Sequence, residues 1–390
     1  MLKTLKDINV KGKKVLLRVD FNVPTKDGAV TDDTRIKEAL KTITHLVDQG
    51  GLVSIVAHFG RPKGEKNLKY TLKPVADYIN SKGYFKAQFV EDCIGDAVKA
   101  ARDKQSAGTV LLLENVRFYK GEEANDPEFT KQLASGYDVY VNDAFGACHR
   151  KHASVYGVPA IVKEKAAGFL IEKEAKWFDK IVSSPEHPFV AIIGGAKISD
   201  KIGVIESLLS KADTILIGGA MAYTFLKFQG HTIGTSMVEN DQMDTVKRVL
   251  QKASEKNTQI LLPLDHLISA EFNGAADYAA GVDIPDGMMG LDIGSKTAMA
   301  YASALMSAKT VLWNGPMGVF ENPAYANGTF SVAKALASLK DAITVVGGGD
   351  SVAAINQSGM ADKVSHISTG GGASLEFLEY GTLPGIEILK

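Results

Sequence analysis

Short apolar runs rich in Val, Ile and Leu alternate along the whole chain with longer segments of helical period, and this alternation constrains the fold more than any other feature. Runs apolar on both faces and separated by helices are what the buried parallel strands of βα units require. Strands are expected at 15–19, 52–57, 109–113 and 139–141, with helices such as 33–49 and 72–82 between them. Further strands are expected at 189–193, 214–217, 310–313, 343–346 and 366–368. The fold class is therefore α/β, with ligands expected at the carboxyl ends of the strands.

The residues at those ends differ between the two halves. In the second half the strands run into Gly194 and Gly195, Gly218 and Gly219, Asn314-Gly315-Pro316, Gly347 to Gly349, and Gly370 to Gly372. Glycine there lets backbone N–H groups approach a phosphate closely. In the first half they run into Arg18, Asp20 and Asn22, then His58 and Arg61, then Glu114 and Arg117, then Asn142, Asp143, His149 and Arg150. That set suits a small, highly charged anion.

At 390 residues the chain exceeds one hydrophobic core, and two unlike sets of strand ends favour two domains. An amphipathic helix over 166–182 lies between them and reads as a connector, the alternative being a crossover helix within one domain. A net charge of -1 offers no global field for nucleic acid or membrane. Cys93 and Cys148 are far apart and in no metal or redox spacing, which fits a reducing compartment. The lysine-studded start lacks an apolar core of a signal peptide, and no apolar stretch reaches the roughly 20 residues that span a bilayer. A soluble cytoplasmic protein is expected.

Several motifs carry more than one reading. Gly194-Gly195-Ala196-Lys197 is expected to open a helix whose apolar face is Ile198, Ile202, Ile205 and Leu209, with Lys197 and Lys201 on one side of its first turn. Cations there oppose the helix dipole, so they are either solvated surface lysines or anion ligands, and the preceding strand and Gly pair favour the second. Asp350 either caps a helix beginning near Val352 or is a Mg²⁺ ligand. Gly370 to Gly372 is a linker or an anion cradle; a strand leading in and a short helix closed by Gly381 favour the cradle. Gly290 to Thr297 mimics a Walker A loop, but Ser295 stands where the glycine before the Lys is needed and no apolar strand is expected before it. A zinc site of His58, His149 and His152 lacks tight ligand spacing.

Taken together, these residues resemble the phosphoglycerate kinase family. The segments that carry the resemblance are Arg18-Val-Asp-Phe-Asn-Val-Pro24, His58-Phe-Gly-Arg-Pro62, Glu114-Asn-Val-Arg117, Asn142-Asp-Ala-Phe-Gly146 with His149-Arg150, Gly194-Gly-Ala-Lys197, Trp313-Asn-Gly-Pro-Met-Gly-Val-Phe-Glu321, Gly347-Gly-Gly-Asp350 and Ser368-Thr-Gly-Gly-Gly-Ala-Ser374. They occur in family order over nearly the whole chain. The resemblance implies two Rossmann-like domains, each a parallel sheet flanked by helices: 1–168 with a return segment 375–390, and 169–374 beginning with the connector helix.

It also implies a hinge-bending, monomeric glycolytic kinase that moves a phosphoryl group between 1,3-bisphosphoglycerate and Mg-ADP, giving 3-phosphoglycerate and ATP. By that similarity Asp20, Asn22, Arg35, His58, Arg61, Arg117 and Arg150 hold the glycerate. Gly195, Lys197, Lys201, Gly219, Leu291, Asn314, Glu321, Gly348, Gly349, Asp350 and Ser351 serve the nucleotide, with Mg²⁺ near Asp350. Arg35, Lys197, Gly371 and Gly372 would bind the migrating group. Ser295, Lys151 and Phe59 depart from the usual family residues, the first on the nucleotide side. A non-catalytic anion-binding protein would explain the arginines alone. A nicotinamide dehydrogenase would need a Gly-x-Gly-x-x-Gly fingerprint after a strand, which this chain lacks.

Overall fold

A computed structural model describes residues 2–390, which divide into two compact units: residues 2–176 with Thr382–Lys390, and Trp177–Gly381. The first division falls inside the helix Phe169–Val182. That helix begins three residues later than the 166–182 expected.

The first unit is built on a six-stranded parallel sheet whose spatial order is Lys86–Val90, Thr109–Leu113, Leu52–Val56, Lys14–Arg18, Val139–Asn142, Glu164–Ala167. Because side chains alternate across a strand, Val15, Leu17, Val53, Ile55, Val110, Leu112, Val139 and Val141 face one way. They pack on Ile36, Ala39, Ile43 and Leu46 of the helix Thr34–Asp48 and on Val75, Ala76 and Ile79 of the helix Lys73–Lys82. Each such side chain contributes about 1.5–3 kcal/mol on burial. Pro74 sits in the first turn of the second helix, and Gly83 ends it in the left-handed region. The C-terminal segment belongs here: Gly385 N–H donates to Cys148 O at 2.8 Å, and Leu383, Ile386 and Leu389 are buried.

The second unit has its own six-stranded parallel sheet, ordered Gln259–Leu261, Thr214–Ile217, Phe189–Ile193, Thr310–Asn314, Ile343–Val346, His366–Ile367. Numbered along the chain this is 3-2-1-4-5-6, the Rossmann order, whose reversal falls between Phe189–Ile193 and Thr310–Asn314. Val190, Ile192, Leu216, Val311, Trp313 and Val346 pack on the helices Ser295–Leu305, Asn327–Ser338 and Gly349–Gln357. A three-stranded antiparallel sheet of His266–Ser269, Asp277–Ala279 and Met289–Ile293 adds a small core around Tyr223, Ile268 and Ile284.

The expected parallel strands are all present, within a residue or two at their ends. No helix among the described residues is long and apolar enough to cross a membrane.

Candidate active site

In the first unit the order of strands reverses around Lys14–Arg18, which pairs with Leu52–Val56 on one side and Val139–Asn142 on the other. Just beyond it, Asp20 receives both of its bonds to Arg35 from one guanidinium nitrogen, each 2.9 Å. The Arg35 side chain stays 39% exposed, so the rest of its fork is free to meet a ligand. Burial works to raise the Asp20 carboxyl, but the Arg35 and Arg18 guanidiniums and the Asn22 N–H pull the other way, and it lies below the ordinary range.

Gly60 ties two further expected residues together. Its N–H donates to Asn22 Oδ1 at 2.9 Å and its carbonyl accepts from Arg117 at 3.0 Å. A Cβ there would lie 2.3 Å from the Tyr70 ring, and φ is +60°, so glycine is required. Arg117 also lies 3.3 Å from a Glu123 carboxylate oxygen. Arg61 and Arg150 are exposed, and Arg150 Nε donates to His149 Nε2 at 3.0 Å. His58 is buried; burial pushes its pKa well down, with Arg18, Arg117 and Arg35 acting the same way against Asp20.

Four polar residues that the sequence places at the strand ends as anion ligands face inward instead. Arg18 is 1% exposed, with its guanidinium held by Ser154, Val19 and His58. Glu114 holds the start of the helix Lys73–Lys82 by accepting from Thr71 Oγ1 at 2.6 Å and Leu72 N–H at 2.9 Å. Asn142 binds Ala144 N–H at 3.1 Å. Asp143 accepts from Leu170 N–H at 2.8 Å, at the start of Phe169–Val182, and burial pushes its carboxyl up to about 7. Asn115, which sequence reasoning passed over, is fully buried and clamps Phe59 through both ends of its amide, at 3.2 and 2.7 Å. That clamp holds the Phe59 backbone whichever side chain it carries.

In the second unit the glycines divide into two kinds. Gly194, Gly219 and Gly315 pack backbone on backbone: a Cβ on Gly194 would lie 2.0 Å from Pro316 O, on Gly219 2.5 Å from Gly195 O, and on Gly315 2.1 Å from Gly194 O. Gly349, Gly371 and Gly372 face open space, with nothing within 4 Å of their would-be Cβ atoms. Packing therefore explains the first group and not the second. Gly349 and Gly372 are each the first residue of a helix, Gly349–Gln357 and Gly372–Tyr380, where N–H groups lack intrahelical partners.

Asp350 sits inside the first turn of Gly349–Gln357 and makes no cap hydrogen bond. The capping reading fails because the helix starts three residues before Val352, with Gly348 at φ +93° in the cap position. Asp350 is exposed, a single carboxylate beside a free helix start, which fits a Mg²⁺ held chiefly by phosphates and water. Lys201 donates to Asn314 Oδ1, and Asn314 donates to Gly347 O at 2.7 Å. Burial lowers the Lys201 pKa, with Asp350 and Asp200 opposing. Ser351 is fully buried and its Oγ accepts from Gly315 N–H. Leu291 is nearly buried, its carbonyl accepting from Val319 N–H at 2.8 Å, while Lys197, Gly195 and Glu321 reach the surface.

One expectation requires correction here. Residues 194–201 form turns and bends, and the helix begins only at Ile202, so Lys197 and Lys201 do not share a helical first turn. Gly195, at φ +126°, lies outside the helical region, so the helix does not open at the Gly pair. The Walker-like segment overlaps a strand, Met289–Ile293, so its first glycine lies within the strand and no apolar strand leads in, as expected. Its helix start is filled by Asp265, whose carboxylate accepts from Lys296 N–H at 2.9 Å and Thr297 N–H at 2.8 Å. No phosphate has room to bind there.

Next to Leu291, Asp292 is a buried carboxyl the sequence did not flag. One oxygen accepts from Gly328 N–H at 2.7 Å, and the other has no partner, crowded by Gly318 and Gly328, at either of which a Cβ would lie 2.3 Å from it. Burial pushes its pKa up to about 8.

Arginines at one sheet's tip and open, glycine-led helix starts at another's suit the binding of phosphate groups in a two-unit α/β protein. The family model of phosphoglycerate kinase matches residues 5–380. Phosphoglycerate kinase of Borrelia hermsii is 51% identical over 391 residues, covering 100% of this chain and 99% of that protein. The Moorella thermoacetica protein of the same name is 54% identical, covering 99% and 98%. The structure of phosphoglycerate kinase from Coxiella burnetii aligns with a TM-score of 0.89 at 38% identity, covering 100% and 99%. The chain belongs to the phosphoglycerate kinase family, phosphotransferases with a carboxyl group as acceptor.

Proposed function

We propose that the protein catalyses reversible, Mg²⁺-dependent phosphoryl transfer from 1,3-bisphosphoglycerate to ADP, giving 3-phosphoglycerate and ATP, as a cytoplasmic monomer in glycolysis. The observation that carries this reading is the pair of open helix starts at Gly349 and Gly372, whose glycines no packing contact demands. In the reverse direction the nucleophile is a carboxylate, with an ordinary pKa near 4, already ionised at neutral pH. It needs no general base, and the residues around it are suited to positioning and charge stabilisation instead.

Asp20, Asn22, Arg35, His58, Arg61, Arg117 and Arg150 hold the glycerate. Gly195, Lys197, Lys201, Gly219, Leu291, Asn314, Glu321 and Gly348 to Ser351 serve the nucleotide. Arg35, Lys197 and the N–H groups of Gly371 and Gly372 take up charge on the migrating group. Asp350 holds Mg²⁺, which when bound offsets the negative charge of the nucleotide phosphates. The two ligands must meet for transfer, so the reading includes closure of the units about Phe169–Val182. Purified protein given 1,3-bisphosphoglycerate and Mg-ADP should form ATP without reducing NAD. Absence of ATP formation would end the proposal.

A further inference from the structure

Arg18 shares its strand end with the proposed glycerate ligands, yet its guanidinium is committed inside the protein. Nε donates to Ser154 Oγ at 2.9 Å, one terminal nitrogen donates to Val19 O, and the other lies 3.1 Å from His58 Nδ1. Ser154 in turn donates its hydroxyl to Glu122 at 2.6 Å and its backbone N–H to the second Glu122 oxygen at 2.9 Å. Glu122, Ser154 and Arg18 are each at most 1% exposed.

Every direction in this chain of bonds is fixed by chemistry. A guanidinium has donors and no acceptor, so Ser154 Oγ must accept from Arg18 and spend its own proton on Glu122. For the same reason His58 Nδ1 must offer a lone pair to Arg18. The imidazole then carries its only proton on Nε2. Arg18, Arg117, Arg35 and Asp20 are the charged groups that face it.

We infer that Arg18 is a positioning residue: it never touches substrate, and by donating to Nδ1 it fixes His58 as the Nε2–H tautomer, which presents the glycerate with a directed neutral donor in place of another cation. This inference rests on the proposed role of His58 as a glycerate ligand. It explains why one arginine of the cluster is buried while Arg35, Arg61 and Arg150 stay open: the open ones supply charge, and Arg18 sets geometry. Lysine could not do the same, because one ammonium cannot span Ser154, Val19 and His58 with the planar fork that Arg18 uses.

The test is imidazole ¹⁵N NMR on the full-length, ligand-free protein, with the His58 signals identified by their loss in His58→Gln. The expected spectrum shows Nδ1 unprotonated and Nε2 protonated at neutral pH. An Nδ1–H tautomer or an imidazolium would overturn the inference, and this readout does not depend on any activity. In Arg18→Lys the fixed tautomer should be lost and KM for 3-phosphoglycerate should rise about tenfold, with KM for ATP unchanged. A KM for the glycerate equal to wild type, in a variant whose tautomer has changed, would refute the positioning role. If Arg18→Lys does not fold, Ser154→Ala, which loosens Arg18 from behind, should give a smaller shift in the same direction. Failure of the wild-type protein to form ATP would count against the parent reading alone, leaving the tautomer result to stand by itself.

Discussion

Replacing Asp292 by Asn should flatten the pH dependence of the second unit's stability. The Asp292 carboxyl has its ordinary pKa of 3.8 when the chain is unfolded, and burial in the slot beside Gly318 and Gly328 pushes it to about 8. Between those values the folded protein holds a proton that the unfolded chain has released. Its contribution is therefore complete below the unfolded value and is lost as pH rises through the folded one. The slope is about 1.4 kcal/mol per pH unit, hence about 4 kcal/mol between roughly pH 5 and pH 8. Asparagine cannot ionise, and its extra unpaired N–H costs about 1–3 kcal/mol at every pH, so that cost drops out of the comparison. Both tryptophans, Trp177 and Trp313, lie in the second unit, so fluorescence in urea titrations reports that unit's unfolding. The stability difference, Asn variant minus wild type, should grow by about 4 kcal/mol across that range. A difference constant within about 1 kcal/mol would refute the assignment of a buried, protonated acid at Asp292.

Arg35→Ala and Lys197→Ala should each lower kcat on the order of 100-fold, measured as ATP formation, and unchanged turnover in either would remove that residue from the transfer step. Gly372→Ala meets nothing within 4 Å and should fold normally, while its methyl obstructs close approach of a phosphate and lowers turnover; a fully active variant would show that no ligand group comes close to Gly372. Gly194→Ala should instead be destabilised by at least about 3 kcal/mol in urea, since its Cβ would lie 2.0 Å from Pro316 O. Gly60→Ala displaces the peptide that joins Asn22 to Arg117, and kcat/KM for the glycerate should fall about 100-fold, with KM for the nucleotide unchanged.

The parallel sheets were legible because their central strands are apolar on both faces. Lys86–Val90, Glu164–Ala167 and Gln259–Leu261 were missed for the complementary reason. Each is an edge strand, half solvated, and carries Lys, Gln or Glu where a central strand carries Val or Leu. The antiparallel sheet of Met289–Ile293 and its partners was missed because its strands are short and their pairing is set by distant contacts. At the sites, residue type at a strand end was readable, but direction was not. Arg18 and Glu114 share the polar character of Arg61 and Arg150, and only the positions of Ser154 and Thr71 decide that they point inward. Glycine has the same ambiguity: Gly194 and Gly372 look alike in the sequence, and the first is held by packing while the second is open.

The nine residues Thr382–Lys390 belong to the first unit although the whole second unit precedes them in the chain. On the ribosome, the six strands of the first sheet emerge early, yet the place beside Cys148 and Val155 that Gly385 fills stays vacant until the second unit and residues 382–390 have been made. A nascent chain can thus finish the Rossmann-ordered half while the arginine-bearing half waits for its last piece. A chain cut before Thr382 should lose glycerate recognition first and keep the later-made half folded.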